Sequence, residues 1–307
     1  MRKLWLLIVC CLAAAQAQPA SRTTAVEQLG YPAGTKLLIL HADDLAVTHS
    51  ADSASFAALE QQAVSSASIM VPCPWLTEVA AYARTHAEAD LGLHLTLTAE
   101  WKNYRWGTVA RGPLNGLLDS DGYFWPDAAS VARHATAAEV ETELRAQVDR
   151  AIGLGIHPTH LDSHMGTLFD PRFFSVYAKI AREYRLPFLV PRFVMSSPAL
   201  RGEVQSADIL VDTIVVAGPS VQPGDWTAFY VRTVQSLKPG LTEIIVHLSG
   251  DDVESAAVMG ADAAFGSAWR RRDFDAVTSS TFRKALDDNH VTVIGWRKIQ
   301  QHWSGAR

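Results

Sequence analysis

The sequence predicts an α/β fold: a TIM-like (βα) barrel of seven or eight parallel strands, regular or distorted, in a single domain. Short apolar runs alternate with helical patterns along the chain, which is typical of a parallel sheet covered by helices. No G-x-G-x-x-G motif follows a run, so a dinucleotide-binding sheet lacks its usual signature. Apolar residues form 48% of the 307 residues, which is enough to bury one large core.

The N-terminus has the pattern of a secretory signal. Two basic residues in Met1–Lys3 precede the apolar run Leu4–Ala15, and the tripeptide A-Q-A at 15–17 supplies small residues at the −3 and −1 positions. We expect cleavage after Ala17, which leaves residues 18–307 as an exported chain, periplasmic or secreted, with no membrane attachment. An uncleaved anchor is the alternative, but the run is shorter than the roughly 20 residues of a membrane span.

Eight mostly apolar runs are predicted as strands, because such runs are typical of parallel strands buried on both faces. In chain order they are Lys36–His41, Ala67–Val71, Leu91–Leu97, Ile156–Leu161, Pro187–Val190, Thr213–Ala217, Glu243–His247 and Val291–Trp296. The clearest helix is Thr136–Ile152, which opens with a T-x-x-E capping box formed by Thr136 and Glu139. Helices are also predicted over Ala51–Ala63 and Ala276–Asp287.

The charge balance argues against a polyanionic partner. The chain has 27 Lys+Arg against 32 Asp+Glu, a formal net charge of −5, and no basic block. A nucleic-acid partner is therefore not expected. The pattern specifies no oligomeric state.

Polar residues gather at the C-terminal ends of the predicted strands. Asp43 and Asp44 follow the first run, His94 lies in the third, the segment T-H-L-D-S-H at 159–164 ends the fourth, and His247 ends the seventh. Because the carboxyl ends of parallel strands meet at one face of a barrel, we expect these side chains to lie together. A single His or Asp in such a place is often structural, but burying the whole set is costly unless a cation compensates.

The residue types in this group favour a divalent metal site. Asp44, His94 and His164 supply two imidazoles and one carboxylate, a set that leaves positions open for water and substrate. Asp43 would take a proton from metal-bound water, and His247 would protonate a leaving group. We expect Mg²⁺ or Zn²⁺, with Mn²⁺ and Co²⁺ as further candidates.

The motifs A-D-D at 42–44, G-L-H-L at 92–95 and T-H-L-D-S-H at 159–164 resemble the YdjC-like carbohydrate deacetylases. These belong to the glycoside hydrolase/deacetylase barrel superfamily, and the resemblance spans about Leu37 to Trp296. It implies a βα barrel that uses a divalent cation to remove acetyl groups from N-acetylated sugars. It also implies Asp43 as the base, a histidine at position 247 as the general acid, and the three ligands named above.

The chain departs from the family pattern at three places near these motifs. The family often has Gly where this chain has Ala46, and Pro where this chain has Leu248. It often continues with further histidines where Met165 and Gly166 follow His164. None of these changes alters Asp44, His94 or His164. They lie beside the expected site, so they bear on the choice of substrate and on the role of His247.

Other polar residues near the motifs have supporting interpretations. His160 is interpreted as an inward-facing structural residue or as a partner behind the ligands, and Asp162 as the carboxylate that orients a ligating imidazole. Arg192 is a candidate substrate-binding residue, which either pairs with Asp43 or forms an ordinary surface salt bridge. The segment W-R-R-R-D at 269–273 is interpreted as a solvated helix start.

The longest connection without a helical pattern is Thr98–Asp127. Its aromatic residues Trp101, Tyr104 and Trp106 would stack on sugar faces, or else pack within the loop itself. The substrate that the family resemblance implies is an acetylated amino sugar or oligosaccharide. Two alternatives stand beside the deacetylase: a metal-independent glycosidase that uses Asp43 with a second carboxylate, and a non-catalytic exported sugar-binding protein.

Overall fold

The computed structural model describes residues 23–305, so the predicted signal sequence lies outside the described residues. The strands are β1 (Lys36–Leu45), β2 (Ser66–Ile69), β3 (Leu91–Leu95), β4 (Leu161–Ser163), β5 (Val190–Pro191), β6 (Leu210–Val211), β7 (Thr213–Val216), β8 (Gly240–His247) and β9 (Thr292–Val293). The helices are α1 (Ala25–Gln28), α2 (His49–Glu60), α3 (Leu76–Thr85), α4 (Ala128–His134), α5 (Ala137–Gly153), α6 (Pro171–Tyr184), α7 (Pro198–Arg201), α8 (Trp226–Ser236), α9 (Val253–Met259), α10 (Ser267–Val277), α11 (Ser280–Asp288) and α12 (Trp296–Gly305).

The main sheet is parallel and curled, with the strand order β4-β3-β2-β1-β8-β7 and with β9 beside the start of β1. β5 and β6 pair with each other in a separate two-stranded sheet. A single bridge from Leu161 to Phe188 leads from β4 towards them. The α/β class is confirmed, but a full TIM barrel with regular ladders is not present among the described strands. Pro187 and Pro191 lack the backbone N–H that a regular ladder needs at this place.

Most of the predicted elements appear with shifted ends. The fourth strand begins only at Leu161, since Pro158 interrupts the predicted run. The helix predicted over Ala276–Asp287 is two helices, because the Ser279 hydroxyl accepts a hydrogen bond from Phe282 N and starts a new one. The short strand β6 has no counterpart in the prediction. The capping box of α5 is confirmed.

Alternation along β1 separates an outer core from an inner column of side chains. Leu38 and Leu40 pack with the surrounding helices, whereas Leu37 and Ile39 pack inside the curled sheet with Trp296 of α12. His41 and Asp43 continue the inner face, because side chains two residues apart share a face of a strand. Within residues 23–305, no helix has the length and apolar character needed to cross a membrane.

Candidate metal centre

The ends of three strands bring Asp44, His94 and His164 together, with candidate ligand atoms within 4.8 Å of one another. Asp44 Oδ1 lies 3.5 Å from His94 Nε2 and 3.5 Å from His164 Nδ1. The chain turns sharply here: Asp44 has φ 70° and Ala46 has φ 77°, and the pairing register with β2 breaks between Ala42 and Leu45. The left-handed backbone at position 46 is one that glycine adopts most easily.

The three donors fit a divalent cation. Asp44 Oδ1 is buried and has no hydrogen-bond partner among the described residues. A buried carboxylate oxygen without a partner is costly. The atoms that face it are ring nitrogens of His94 and His164, and two imidazoles with one carboxylate form a common open metal site.

Carboxylates behind the two histidines fix their rings. Asp162 Oδ1 accepts a 2.6 Å hydrogen bond from His94 Nδ1, and Glu100 Oε2 lies 3.1 Å from His164 Nε2. The opposite ring nitrogens are therefore left to face Asp44. Burial alone would raise the pKa of Asp162, but His94 and His41 together hold it below its usual range. Glu100 has no sequence signal beyond its position shortly after the third strand.

His41 links this group to the interior of the sheet. Its Nδ1 lies 2.7 Å from Ser66 Oγ, and its Nε2 lies 3.0 Å from Asp162 Oδ2 and 3.2 Å from Asp43 Oδ1. Burial lowers the pKa of His41, but these two carboxylates raise it well above its ordinary value. His41 thus lies buried between two carboxylates. The pattern H-A-D-D placed His41 beside the aspartates but gave it no role.

Asp43 and His247 line the same space as the candidate ligands. Asp43 Oδ2 lies 3.6 Å from His94 Nε2 and 3.9 Å from His247 Nε2. Ser68 Oγ donates a 3.3 Å hydrogen bond to Asp43 Oδ1. Burial lowers the pKa of His247 to about 4, so its imidazole is neutral at neutral pH.

Helix α10 supplies two buried charged residues to the site. Arg270 Nη2 donates a 2.6 Å hydrogen bond to Asp44 Oδ2, and Asp273 Oδ2 accepts a 3.0 Å bond from His247 N. Burial alone would raise the pKa of Asp44, but Arg270 and the nearby histidines hold it well below its usual range. Residues 269–273 do lie near the start of a helix, as predicted, but the interpretation of the segment as solvated is wrong, because Trp269, Arg270 and Asp273 are buried. Residues three apart share a helix face, and here that face packs against β8.

The aromatic residues of the long loop do not line an open cleft together. Trp106 is 4% exposed and packs in the core and against Trp101 and Tyr104, which agrees with the alternative of packing within the loop. Tyr104 donates a hydrogen bond to Val47 O. Trp101 is half-buried, and the guanidinium of Arg270 lies 5.8 Å from the centre of its ring.

Arg192 and His160 lie outside the group formed by Asp44, His94 and His164. Arg192 pairs with Asp212 at the surface, so its alternative pairing with Asp43 does not occur. His160 is fully buried and stacks on Trp296 with the ring centres 4.7 Å apart. The ring also lies against Gly92, where a Cβ would lie 2.3 Å from His160 Cε1. The glycine of the G-L-H-L motif thus makes room for this ring.

Comparisons with known proteins agree on one family. A family model described as YdjC-like protein matches residues 37–288. A carbohydrate deacetylase of Thermus thermophilus is 32% identical over 286 residues, which cover 90% of this chain and 98% of that protein. A carbohydrate deacetylase of Thermoanaerobacter pseudethanolicus is 26% identical over 264 residues, covering 85% of this chain and 98% of that protein.

A solved structure shares the fold. The crystal structure of an Enterococcus faecalis protein, described as a cellobiose-phosphate cleavage protein, superposes with a TM-score of 0.70 at 21% identity. The superposition covers 86% of this chain and 99% of that one. The curled parallel sheet is therefore common to both proteins.

Proposed function

Because this chain belongs to the YdjC-like protein family, we propose that it is a divalent-cation-dependent carbohydrate deacetylase acting on N-acetylated sugars. Family membership confirms the resemblance drawn from the three sequence motifs. The observation that carries the proposal is the convergence of Asp44 Oδ1, His94 Nε2 and His164 Nδ1 beside the free carboxylate edge of Asp43. The names of the Thermus and Thermoanaerobacter relatives support the activity.

Asp44, His94 and His164 would hold the cation, with Mg²⁺ or Zn²⁺ as the first candidates and Mn²⁺ or Co²⁺ next. When bound, the cation would polarise the amide carbonyl and make a water molecule more acidic. Two further groups of His and Asp lie close enough to bind a metal, but both use Asp162, and one also uses His41. Asp162 Oδ2 already bonds to His41, and Asp162 Oδ1 already bonds to His94. Because both oxygens of Asp162 are engaged, the Asp44 group is favoured as the metal site.

The remaining residues would move the protons. Asp43 would take a proton from the attacking water, and His41 and Ser68 would hold its Oδ1 so that Oδ2 faces the reaction. Water adds to the acetyl carbonyl carbon, the C–N bond breaks, and acetate leaves while the sugar nitrogen gains a proton. His247 would deliver that proton. Its ring is neutral beforehand, so it would first receive a proton from Asp43, 3.9 Å away.

We also propose how the chain is organised around this site. Trp101 is the loop aromatic best placed to contact a sugar, because Trp106 is buried and the Tyr104 hydroxyl is engaged.

The bridge at Leu161 and the pairing of β5 with β6 support a distorted seven-stranded barrel. Residues 18–307 would form one exported domain after removal of the signal. Mass spectrometry of the exported protein would identify its first residue, expected to be Gln18.

Acetate release tests the function. The chain from Gln18 is incubated with N-acetylglucosamine oligomers as purified, after chelation, and after return of one cation at a time. Release that stops with chelation and returns with a cation is the expected result. Reducing ends without acetate would favour the glycosidase, and sugar binding without any product would favour the binding protein. Either of these results would contradict the proposal.

A further inference from the structure

Arg270 is a buried cation whose position the proposed reaction does not explain. It is 1% exposed and lies 226 residues away from Asp44 in sequence. Its Nη2 donates to Asp44 Oδ2 at 2.6 Å, and its Nε donates to the carbonyl oxygen of Phe265 at 2.8 Å. A buried guanidinium with a fixed fork of donors holds a carboxylate in one orientation.

The two oxygens of Asp44 consequently have different surroundings. Oδ2 accepts the bond from Arg270, while Oδ1 has no hydrogen-bond partner and faces the ring nitrogens of His94 and His164. A carboxylate free to turn would offer both oxygens to a cation. Here only one oxygen is available, and a coordination position is left for water or substrate.

We propose that Arg270 is a positioning residue that balances the charge of Asp44 and fixes it as a one-oxygen ligand. The inference rests on the proposed function, because it takes Asp44 as a cation ligand. Arg270 and the bound cation would then share one task, the neutralisation of a buried carboxylate. Removal of Arg270 leaves that task to the cation and the nearby histidines, and a buried carboxylate that has lost its arginine partner is unfavourable.

If Arg270 and the cation both neutralise Asp44, loss of Arg270 should change how much a bound cation raises the melting temperature. A ligand that binds only the folded protein raises its melting temperature, and it does so more when it relieves a cost present in the ligand-free fold. In the cation-free R270M protein Asp44 has lost its only arginine partner among the described residues and keeps only the nearby histidines, and a bound cation would relieve that cost. The rise in melting temperature on cation addition should therefore be larger than in the wild type. A defect in packing alone would lower both melting temperatures together.

The experiment uses the whole mature chain as wild type, R270M, R270K and R271M. Arg271 is an exposed neighbour on the same helix that pairs with Asp275, so R271M is the matched control. Melting temperatures are measured after chelation and again with saturating Mg²⁺, Mn²⁺, Co²⁺ or Zn²⁺. We expect the cation-induced rise to be about twice that of the wild type in R270M, intermediate in R270K, and unchanged in R271M.

Acetate release provides a second readout. In R270M the Asp44 carboxylate can rotate, so kcat should fall by about tenfold or more with little change in KM. R270K should restore part of this loss.

An equal rise in melting temperature for R270M and wild type would overturn the role of Arg270 while leaving the proposed deacetylase function intact. If no cation raises the melting temperature of the wild type, the metal site itself is wrong and the inference falls with it. If R270M does not fold, R270K decides by the same comparison.

Discussion

The two adjacent aspartates of the A-D-D motif illustrate how neighbouring residues take different tasks. Asp43 lies on the inner face of β1 with His41 and Ser68 around one oxygen. Asp44 itself has a left-handed backbone conformation, with φ 70°, and its Oδ1 faces two histidines. One carboxylate is thus left free beside the candidate cation, and the other is committed to it.

This division predicts different outcomes for two substitutions. Asp43→Asn should keep the cation and lose roughly 100-fold or more in kcat, because the amide cannot accept the proton. Asp44→Ala should lose the cation and the activity together. Metal content by elemental analysis and acetate release measure both effects, with circular dichroism as the folding control. Loss of cation from Asp43→Asn would instead make Asp43 a ligand.

Gly92 is a position where a single methyl group should disturb the fold. The His160 ring lies over Gly92 and cannot retreat, because Trp296 is stacked on it. Gly92→Ala should therefore reduce the free energy of unfolding by about 1–3 kcal/mol or more. Gly153→Ala is the control, since nothing lies within 4 Å of the added Cβ at that helix end. Denaturant titration measures both, and equal stabilities would refute the predicted clash.

Among the elements, helix α6 ends in a strained conformation that can be relieved. Its C-cap residue Arg185 has φ 59° and ψ 42°, and its side chain is exposed. Glycine adopts this left-handed conformation without the clash of a Cβ. Arg185→Gly should therefore raise the free energy of unfolding by about 1 kcal/mol. Arg185→Ala removes the same side chain but keeps the Cβ, so it should not stabilise. Equal effects of the two substitutions would contradict the explanation.

The elements also show what the sequence could predict. β1 and β8 are long mostly apolar strands, and their ends place Asp43, Asp44 and His247 where a parallel sheet requires them. The break at Ser279 has a local signal, a serine at the N-cap of α11, which the prediction did not use. Local patterns could not reveal β6, because a two-residue strand depends on its tertiary partner. Arg270 was missed for the same reason. Its arginine-rich segment looks solvated until α10 packs against β8, which brings it to Asp44.

At the scale of the whole molecule, a buried acid couples stability to pH. Burial raises the pKa of Glu243 to about 7 from an ordinary value near 4.5. The folded protein holds this proton more tightly than the unfolded chain does. Its contribution to the free energy of unfolding is therefore complete below about pH 4.5, and it is lost as the pH rises towards 7.

Glu243→Gln should remove this dependence. The amide oxygen can still accept the bond from Trp296 Nε1, and the side chain carries no charge at any pH. Compared with wild type, the variant should gain on the order of 3 kcal/mol between pH 4.5 and pH 7.5. Urea titrations across this range measure the difference, with the exposed Glu88→Gln as the control. A constant difference would show that Glu243 titrates normally.

The C-terminal helix α12 determines how much of the C-terminus the protein can lose. Trp296 closes the inner column from below: it donates a hydrogen bond to Glu243 and stacks on His160, which lies two residues before Asp162 in the chain. A premature stop codon before Trp296 would delete none of the candidate ligands, yet it would let water into the interior beneath them. The final stretch of the gene is therefore as indispensable as the A-D-D motif, and truncation libraries should find few viable products that end before it.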